Sequence, residues 1–309
     1  MSLNPIKICR LNFTDGTILF IHWLLNLSKI RLTEKIKMYL ENFLNKEMQH
    51  FFTSSGFYDK TLKPGSYNFN FDNYDTSLLN KNSLVNVFFY KIIEHISNAD
   101  ELCIHISEYI DQELCYNLSK YHTKFFSYFS PKKTIPYVNK ERIYEFLNNK
   151  RVLIMSSFCD LIKYQIESGN AREIFHDVDG VEFPNFLNII YYKTPYTFFN
   201  DGPENNMFET SNKICNEISE FQDKFDCILI GFGSYNNIIG DYFYKNYNKS
   251  FCSVGNDMQF IFGILNNRYK GYGVTNEEWF LKKKDYWITE IPEELKPKNY
   301  MQIEDGCFW

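Results

Sequence analysis

Short apolar runs alternating with amphipathic segments organise the second half of this chain. Arg151-Val152-Leu153-Ile154-Met155 predicts a strand, followed by Ser156-Ser157-Phe158 and a helix from Asp160 to Glu167. Phe186 to Tyr192 predicts a second strand. Phe208 to Phe225 carries Ile214, Ile218, Phe221 and Phe225 at helical spacing. Asp226-Cys227-Ile228-Leu229-Ile230 predicts a third strand running into Gly231-Phe232-Gly233-Ser234, with a helix from Asn237 to Tyr244 after it. Ser250 to Val254 predicts a fourth strand, ending in Gly255-Asn256-Asp257, and Met258 to Ile264 a short helix. Strands this apolar are expected to be covered on both faces. The predicted class is therefore α/β, with a mostly parallel sheet. In such folds ligands lie at the carboxyl ends of the strands. Three of these strands end in loops rich in glycine, serine and asparagine, which marks that end as the candidate site.

The first half is less regular. Ile6, Ile8, Leu11 and Phe13 predict a strand over Pro5 to Phe13, with a turn at Asn12-Phe13-Thr14-Asp15-Gly16. Helices are expected over Thr17 to Leu27, Leu32 to Phe43 and Leu84 to Ile96, and a short strand over Glu101 to Ile106. Phe51 to Asn80 is rich in turn signals and predicts an irregular excursion; a loop that long suggests a substrate-facing segment. Beyond Gly273 the chain becomes charged and proline-bearing, and is expected to pack through Trp279 and Trp287.

Composition changes this picture little. The 309 residues include 30 Phe, 23 Tyr and only two alanines, Ala99 and Ala171, and six of the 33 basic residues are Arg. That bias follows AT-rich codons rather than function. At 44% hydrophobic the chain can bury a large core, which excludes intrinsic disorder. A net charge of −5 argues against nucleic acid as a partner, and Lys132-Lys133 and Lys282-Lys283-Lys284 are short enough to be solvated surface. The eight cysteines have no metal-site spacing, and Cys159, Cys227 and Cys252 fall in apolar runs, as buried thiols do. Thr17 to Leu27 is about half the ~20 apolar residues a membrane span needs. The expectation is a soluble protein of the cytoplasm, the host's if the AT-rich genome is viral.

Candidate chemistry is sparse. Gly231-Phe232-Gly233 lacks the third glycine of a dinucleotide fingerprint, since Asn236 stands there, yet glycines at a strand end let a backbone approach phosphate. A tight turn explains them equally well. There is no P-loop, no nucleophile elbow and no zinc-protease helix, and the six histidines form no ligand pattern. Asn12-Phe13-Thr14 and Asn248-Lys249-Ser250 match the glycosylation sequon beside predicted buried strands, where chance is the simpler explanation. Asp15, on the loop after the first strand, reads either as a helix cap or as a carboxylate serving as base or metal ligand. Asp257 has the same placement after the fourth strand, and two acids converging on one crevice would weigh more than either alone.

Three segments carry a family resemblance: Arg151 to Phe158 with Leu161, Ile162 and Gln165; Phe225 to Tyr235; and Val254 to Ile264 with Arg268 and Tyr269. From about residue 95 to 270 their order and spacing resemble the GT-D-type glycosyltransferases of bacterial surface-glycan clusters. The most specific piece is Met258-Gln259-Phe260-Ile261-Phe262-Gly263-Ile264 after a glycine loop. The family's amino-terminal hallmark, Arg-Phe-Gly-Asp-Gly-Glu, aligns with Arg10 to Asp15. Arg10 is kept, Phe13 replaces the first acid, and Asp15 stands where Glu would be. Ser156-Ser157 replaces His-Pro, and Asn256-Asp257 replaces a Gly-x pair.

The resemblance implies a Rossmann-like sheet with helices on both faces. It implies a transferase domain over 1–275, with an acid loop in 1–94 and nucleotide binding in 95–275; the charged, proline-bearing remainder, 276–309, is expected to be an appendage. It implies a hexosyltransferase moving a sugar from a nucleotide-diphosphate donor, a UDP-sugar, to a glycan or glycoprotein acceptor. Asp15, Arg10 and Asp257 would be catalytic, and Asp15 would bind Mn2+ or Mg2+, although one carboxylate is a poor cage for such an ion. Ser157, Phe158, Gly231, Gly233, Ser234, Tyr235, Gly255, Asn256, Gln259 and Arg268 would hold the donor. Two other readings remain: a Rossmann-like methyltransferase, which leaves Met258 to Ile264 unexplained, and a non-catalytic binding module, which the replaced acid at Phe13 favours.

Overall fold

The computed structural model describes residues 4–24, 33, 38–40, 43, 51, 56–61, 84–106, 119–176, 180–198 and 201–309. In chain order, β1 (Lys7–Leu11) leads into α1 (Phe13–His22). Next come α2 (Leu84–Ile96), β2 (Glu101–Ile104), α3 (Ser119–Tyr128), β3 (Lys133–Thr134) and α4 (Lys140–Leu147). β4 (Lys150–Ser156), α5 (Cys159–Glu167), α6 (Asn170–Phe175), β5 (Phe186–Lys193) and α7 (Met207–Ser219) follow. The remainder is β6 (Cys227–Gly231), α8 (Asn236–Tyr247), β7 (Ser250–Ser253), α9 (Asp257–Phe260), α10 (Asn267–Gly271) and α11 (Glu278–Lys283).

The strands form one seven-stranded sheet in the order β3-β2-β1-β7-β6-β4-β5, every neighbouring pair parallel. This is a Rossmann-like α/β fold. The chain steps outward from β1 to β3, crosses to β4 and β5, and returns through β6 to set β7 beside β1. The carboxyl ends of β1 and β7 thus flank the point where strand order reverses, the place such sheets leave a crevice.

Each inner strand feeds two cores. Leu153 and Met155 of β4, with Ile228 and Ile230 of β6, enter one core, and α1, α2, α3, α7 and α8 cover it. Val152 and Ile154, with Cys227 and Leu229, enter the other, covered by α4, α5, α6 and the carboxyl-terminal segment. The two-residue period of a strand sends alternate side chains to opposite faces, so both sets must be apolar. Cys159, Cys227 and Cys252 are buried free thiols, and burial pushes Cys227 up to about 12, well away from reactivity.

Asparagine does the capping. Asn12, Asn139, Asn206 and Asn266 each accept a backbone N–H at the start of α1, α4, α7 and α10. Such a cap is worth about 1 kcal/mol against alanine.

Several sequence expectations need correction. α1 begins at Phe13, so the stretch expected as a turn is its first helical turn. The helix expected to reach Phe225 ends at Ser219, and a 3-10 turn over Gln222–Lys224 follows. α3, α4 and β3 were not anticipated. The helix expected over 32–43 lies outside the described residues except at 33, 38–40 and 43, and the 51–80 excursion except at 51 and 56–61.

The segment over 276–309 packs on the second core, with Trp287 buried in it and Trp279 against it, as its sequence suggested. Trp287, Ile303 and Trp309 are buried there. Backbone bonds tie Ile288 to Gly263 and Leu265, each at 2.9 Å.

Candidate functional site

A cavity of about 560 Å³ opens at the carboxyl ends of the strands. Arg10, Asn12, Thr14 and Asp15 line it from the β1–α1 junction, and His105 from beyond β2. Ser156, Ser157 and Phe158 come from the end of β4, Gly231, Phe232 and Gly233 from β6, and Gly255 to Gln259 from β7. Pro195 to Phe198, after β5, line it too, as do Arg268, Tyr269, Phe308 and Trp309.

Of the predicted site residues, Asp15, Arg10, Asp257, Ser157, Phe158, Gly231, Gly233, Gly255, Asn256, Gln259 and Arg268 all border this cavity. Ser234 and Tyr235 do not. Ser234 lies behind it, with its hydroxyl directed at both Asp15 carboxylate oxygens at 3.2 and 3.3 Å. Tyr235 is fully buried and stacks on Phe232 with ring centroids 4.1 Å apart, so it supports the wall from behind.

Asp15 sits in the first turn of α1, where the helix dipole favours negative charge. Asn12 caps that helix by accepting the Asp15 N–H at 2.9 Å, so the cap is Asn12 and the carboxylate of Asp15 is left to face Ser234 and the cavity.

Arg10 and Asp257 bridge β1 and β7. Arg10 Nη1 lies 3.3 Å from Asp257 Oδ2 and also donates to the Val254 carbonyl. The Tyr269 hydroxyl donates to the other Asp257 oxygen. Burial first, then the Asp257 charge, push the Tyr269 phenol far above its ordinary value, which keeps it a donor. The buried Arg10 Nε has no partner among the described residues.

Glycine at 255 follows from this packing. Its φ is +57°, and a Cβ there would stand 2.6 Å from Arg10 Nη1. A Cβ on Gly231 would meet the Gly255 carbonyl at 2.8 Å, so the two glycine loops touch backbone to backbone.

Three residues play parts the sequence did not indicate. His105 lines the cavity, and burial first, then Arg10, hold its imidazole below the ordinary value despite Asp257. Its Nε2 lies 3.4 Å from Cys103 Sγ. Phe198 and Phe308 form an aromatic wall, ring planes 11° apart and centroids 6.4 Å apart. Nothing in local spacing marks them, because they meet only through tertiary packing.

Gln259 also differs from expectation. Its amide donates to the Phe308 carbonyl at 2.9 Å and accepts from Asn266 at 2.5 Å. Gln259 thus anchors the aromatic wall, with one amide hydrogen and one oxygen lone pair engaged inside the protein. Ser157 pairs with Thr194 at 3.0 Å. Arg268 lies over the Phe308 ring at 5.0 Å and donates toward Cys307 Sγ at 3.3 Å.

The donor set does not suit a divalent cation. Asp257 is bridged to a guanidinium and takes a phenol hydrogen bond, and Asp15 accepts from Ser234. A hard cation needs several free oxygen ligands.

No family model, curated protein or solved structure matches the chain. Among the described residues no helix is long and apolar enough to cross a membrane.

Proposed function

We propose that the protein is a glycosyltransferase that moves a sugar from a nucleotide-diphosphate donor, a UDP-sugar, to a glycan or glycoprotein acceptor. The observation that carries the reading is the junction of β1, β6 and β7. There two glycine loops in backbone contact, an arginine and two carboxylates face one cavity at the reversal of strand order. The resemblance of residues 151–165, 225–235 and 254–269 to GT-D-type enzymes supports the same reading.

The residues divide the work as follows. Backbone amides of the loops at Gly231–Gly233 and Gly255–Asn256 cradle the diphosphate. Arg10 stabilises the charge that develops on the departing nucleoside diphosphate, the kind of preorganised electrostatic term that often dominates catalysis. Asp257 and the Val254 carbonyl hold the guanidinium in position. Asp15, oriented by Ser234, takes the proton of the acceptor hydroxyl as that oxygen attacks the anomeric carbon and the bond to the diphosphate breaks. No step requires a metal.

Thermal-shift measurements with UDP, GDP, dTDP and S-adenosylmethionine, each with and without Mn2+, test this. A nucleoside diphosphate at 100 times its dissociation constant stabilises a fold by about 2.7 kcal/mol. The expected result is stabilisation by a nucleoside diphosphate without Mn2+ and no response to S-adenosylmethionine. The reverse would favour a methyltransferase, and no response to any of them would sink the reading.

A further inference from the structure

The cavity is unlike at its two ends. Arg10, Asp15, His105 and Asp257 enter from β1, β2 and β7, and Arg268 is the charged group at the other end. Its aromatic wall enters from the segment after β5, where Phe198 meets Phe308. Phe198 follows β5, and Gln259, two positions after Asp257, ties Phe308 to the charged end.

At the aromatic end both rings are only partly buried and both border the cavity. Their planes lie 11° apart, and Trp309 sets its ring edge-on to Phe198 with centroids 5.8 Å apart. The Arg268 guanidinium adds a delocalised cation over Phe308. Gln259 fixes the wall by holding the Phe308 carbonyl at 2.9 Å, and Asn266 in turn fixes Gln259. Two near-parallel ring faces with a stacked guanidinium suit a flat, π-faced ligand. They offer nothing to a phosphate beyond the one arginine.

We propose that the Phe198–Phe308 wall is the nucleobase subsite of the donor, which therefore lies along the crevice with its base toward β5 and its sugar toward Arg10, Asp15 and Asp257. This rests on the nucleotide-sugar reading above and adds the direction in which the donor is bound. Stacking on an aromatic ring tolerates different bases, so the wall sets affinity for the nucleoside more than choice of base.

Calorimetric titration of the full chain with UDP, uridine, UDP-glucose and pyrophosphate tests the assignment, using wild type, Phe198→Leu, Phe308→Leu, Phe198→Tyr and Arg10→Met. Each Leu variant should bind UDP and uridine at least tenfold more weakly, the scale of losing one base–aromatic stack. Pyrophosphate affinity should stay within about twofold, and Phe198→Tyr, which keeps the ring, should bind UDP within about threefold of wild type. Arg10→Met should lose pyrophosphate and UDP together. If the Leu variants bind UDP like wild type while Arg10→Met does not, the base subsite is wrong and the nucleotide reading stands. Weakening of UDP-glucose alone would place the sugar on the rings and overturn the assignment, as would equal loss of pyrophosphate in the Leu variants. Failure of wild type to bind any of the four at millimolar concentration would overturn both.

Discussion

Strand β1 carries a cation into each of two ionic clusters, and the two are built oppositely. Lys7, at its amino end, meets Asp241 at 2.5 Å, and His95 and Lys245 meet the same carboxylate at 2.7 and 2.8 Å. The Asp241 side chain is fully buried, and Lys7 also donates to the Ser97 carbonyl. Arg10, three residues on, meets Asp257 where their side chains remain 16% and 27% exposed to the cavity. The first cluster surrounds a fully buried carboxylate with three partners, and Lys245, 45% exposed, forms its solvent edge. The second is open on one side and holds a buried Nε without a partner among the described residues. A buried cluster fixes structure; an open one at a reversal of strand order has charge to offer a ligand.

The largest expected effect comes from breaking the buried cluster. Asp241→Asn should cost about 3–5 kcal/mol in urea unfolding, the scale for removing one partner of a buried ion pair. Burial raises the Asp241 carboxyl, but hydrogen bonds from His95, Lys245 and Lys7 overcome it and leave the group below its ordinary value. Its contribution to stability is thus complete above the ordinary Asp range and lost as pH falls through the folded value. Asp241→Asn should flatten that acid limb of the stability profile. A variant as stable as wild type would show that this cluster does not hold the fold.

Arg10→Met should do the opposite. Its partly exposed pair should cost about 1–2 kcal/mol of stability, while the thermal shift with UDP disappears. Loss of stability with retained UDP binding would make Arg10 structural as well.

Gly255→Ala tests the support beneath that arginine. A non-glycine residue at φ +57° costs about 1–2 kcal/mol, and its Cβ would also press on Nη1. We expect that loss in unfolding experiments together with weaker UDP binding, whereas unchanged binding would detach the glycine loop from the arginine.

The smallest effect is a titration. Arg10 is one cause of the lowered His105 value, after burial, so Arg10→Met should move the imidazole up toward the ordinary histidine range in an NMR titration. Neutral His105 favours the fold fully above that ordinary value and loses this effect as pH falls below it. A downward shift in Arg10→Met would contradict the arrangement.

How much of this the sequence revealed depends on whether the cause was local. The apolar run at 151–155 sits inside β4, and α2 spans the Leu84 to Ile96 stretch expected of it, because strand and helix periods are written residue by residue. The glycine loops were visible for the same reason. The start of α1 was misread because Asn12, Asp15 and Gly16 carry turn chemistry, and only the geometry of the Asn12 cap turns it into a helix start. The family resemblance puts Tyr235 at the donor, yet packing buries it against Phe232. Phe198 and Phe308 are 110 positions apart, and in a chain with 30 phenylalanines no local feature sets them off. The bonds by which Gln259 and Gly263 hold the carboxyl-terminal stretch are long-range and leave no mark in the local sequence.

A crystal structure of the chain grown with saturating UDP tests the central claim most directly. The account predicts diphosphate density against the loops at Gly231 and Gly255, beside Arg10, with the uracil ring on Phe198 and Phe308. Ordered UDP elsewhere on the molecule, or a cavity without nucleotide at saturation, would contradict it.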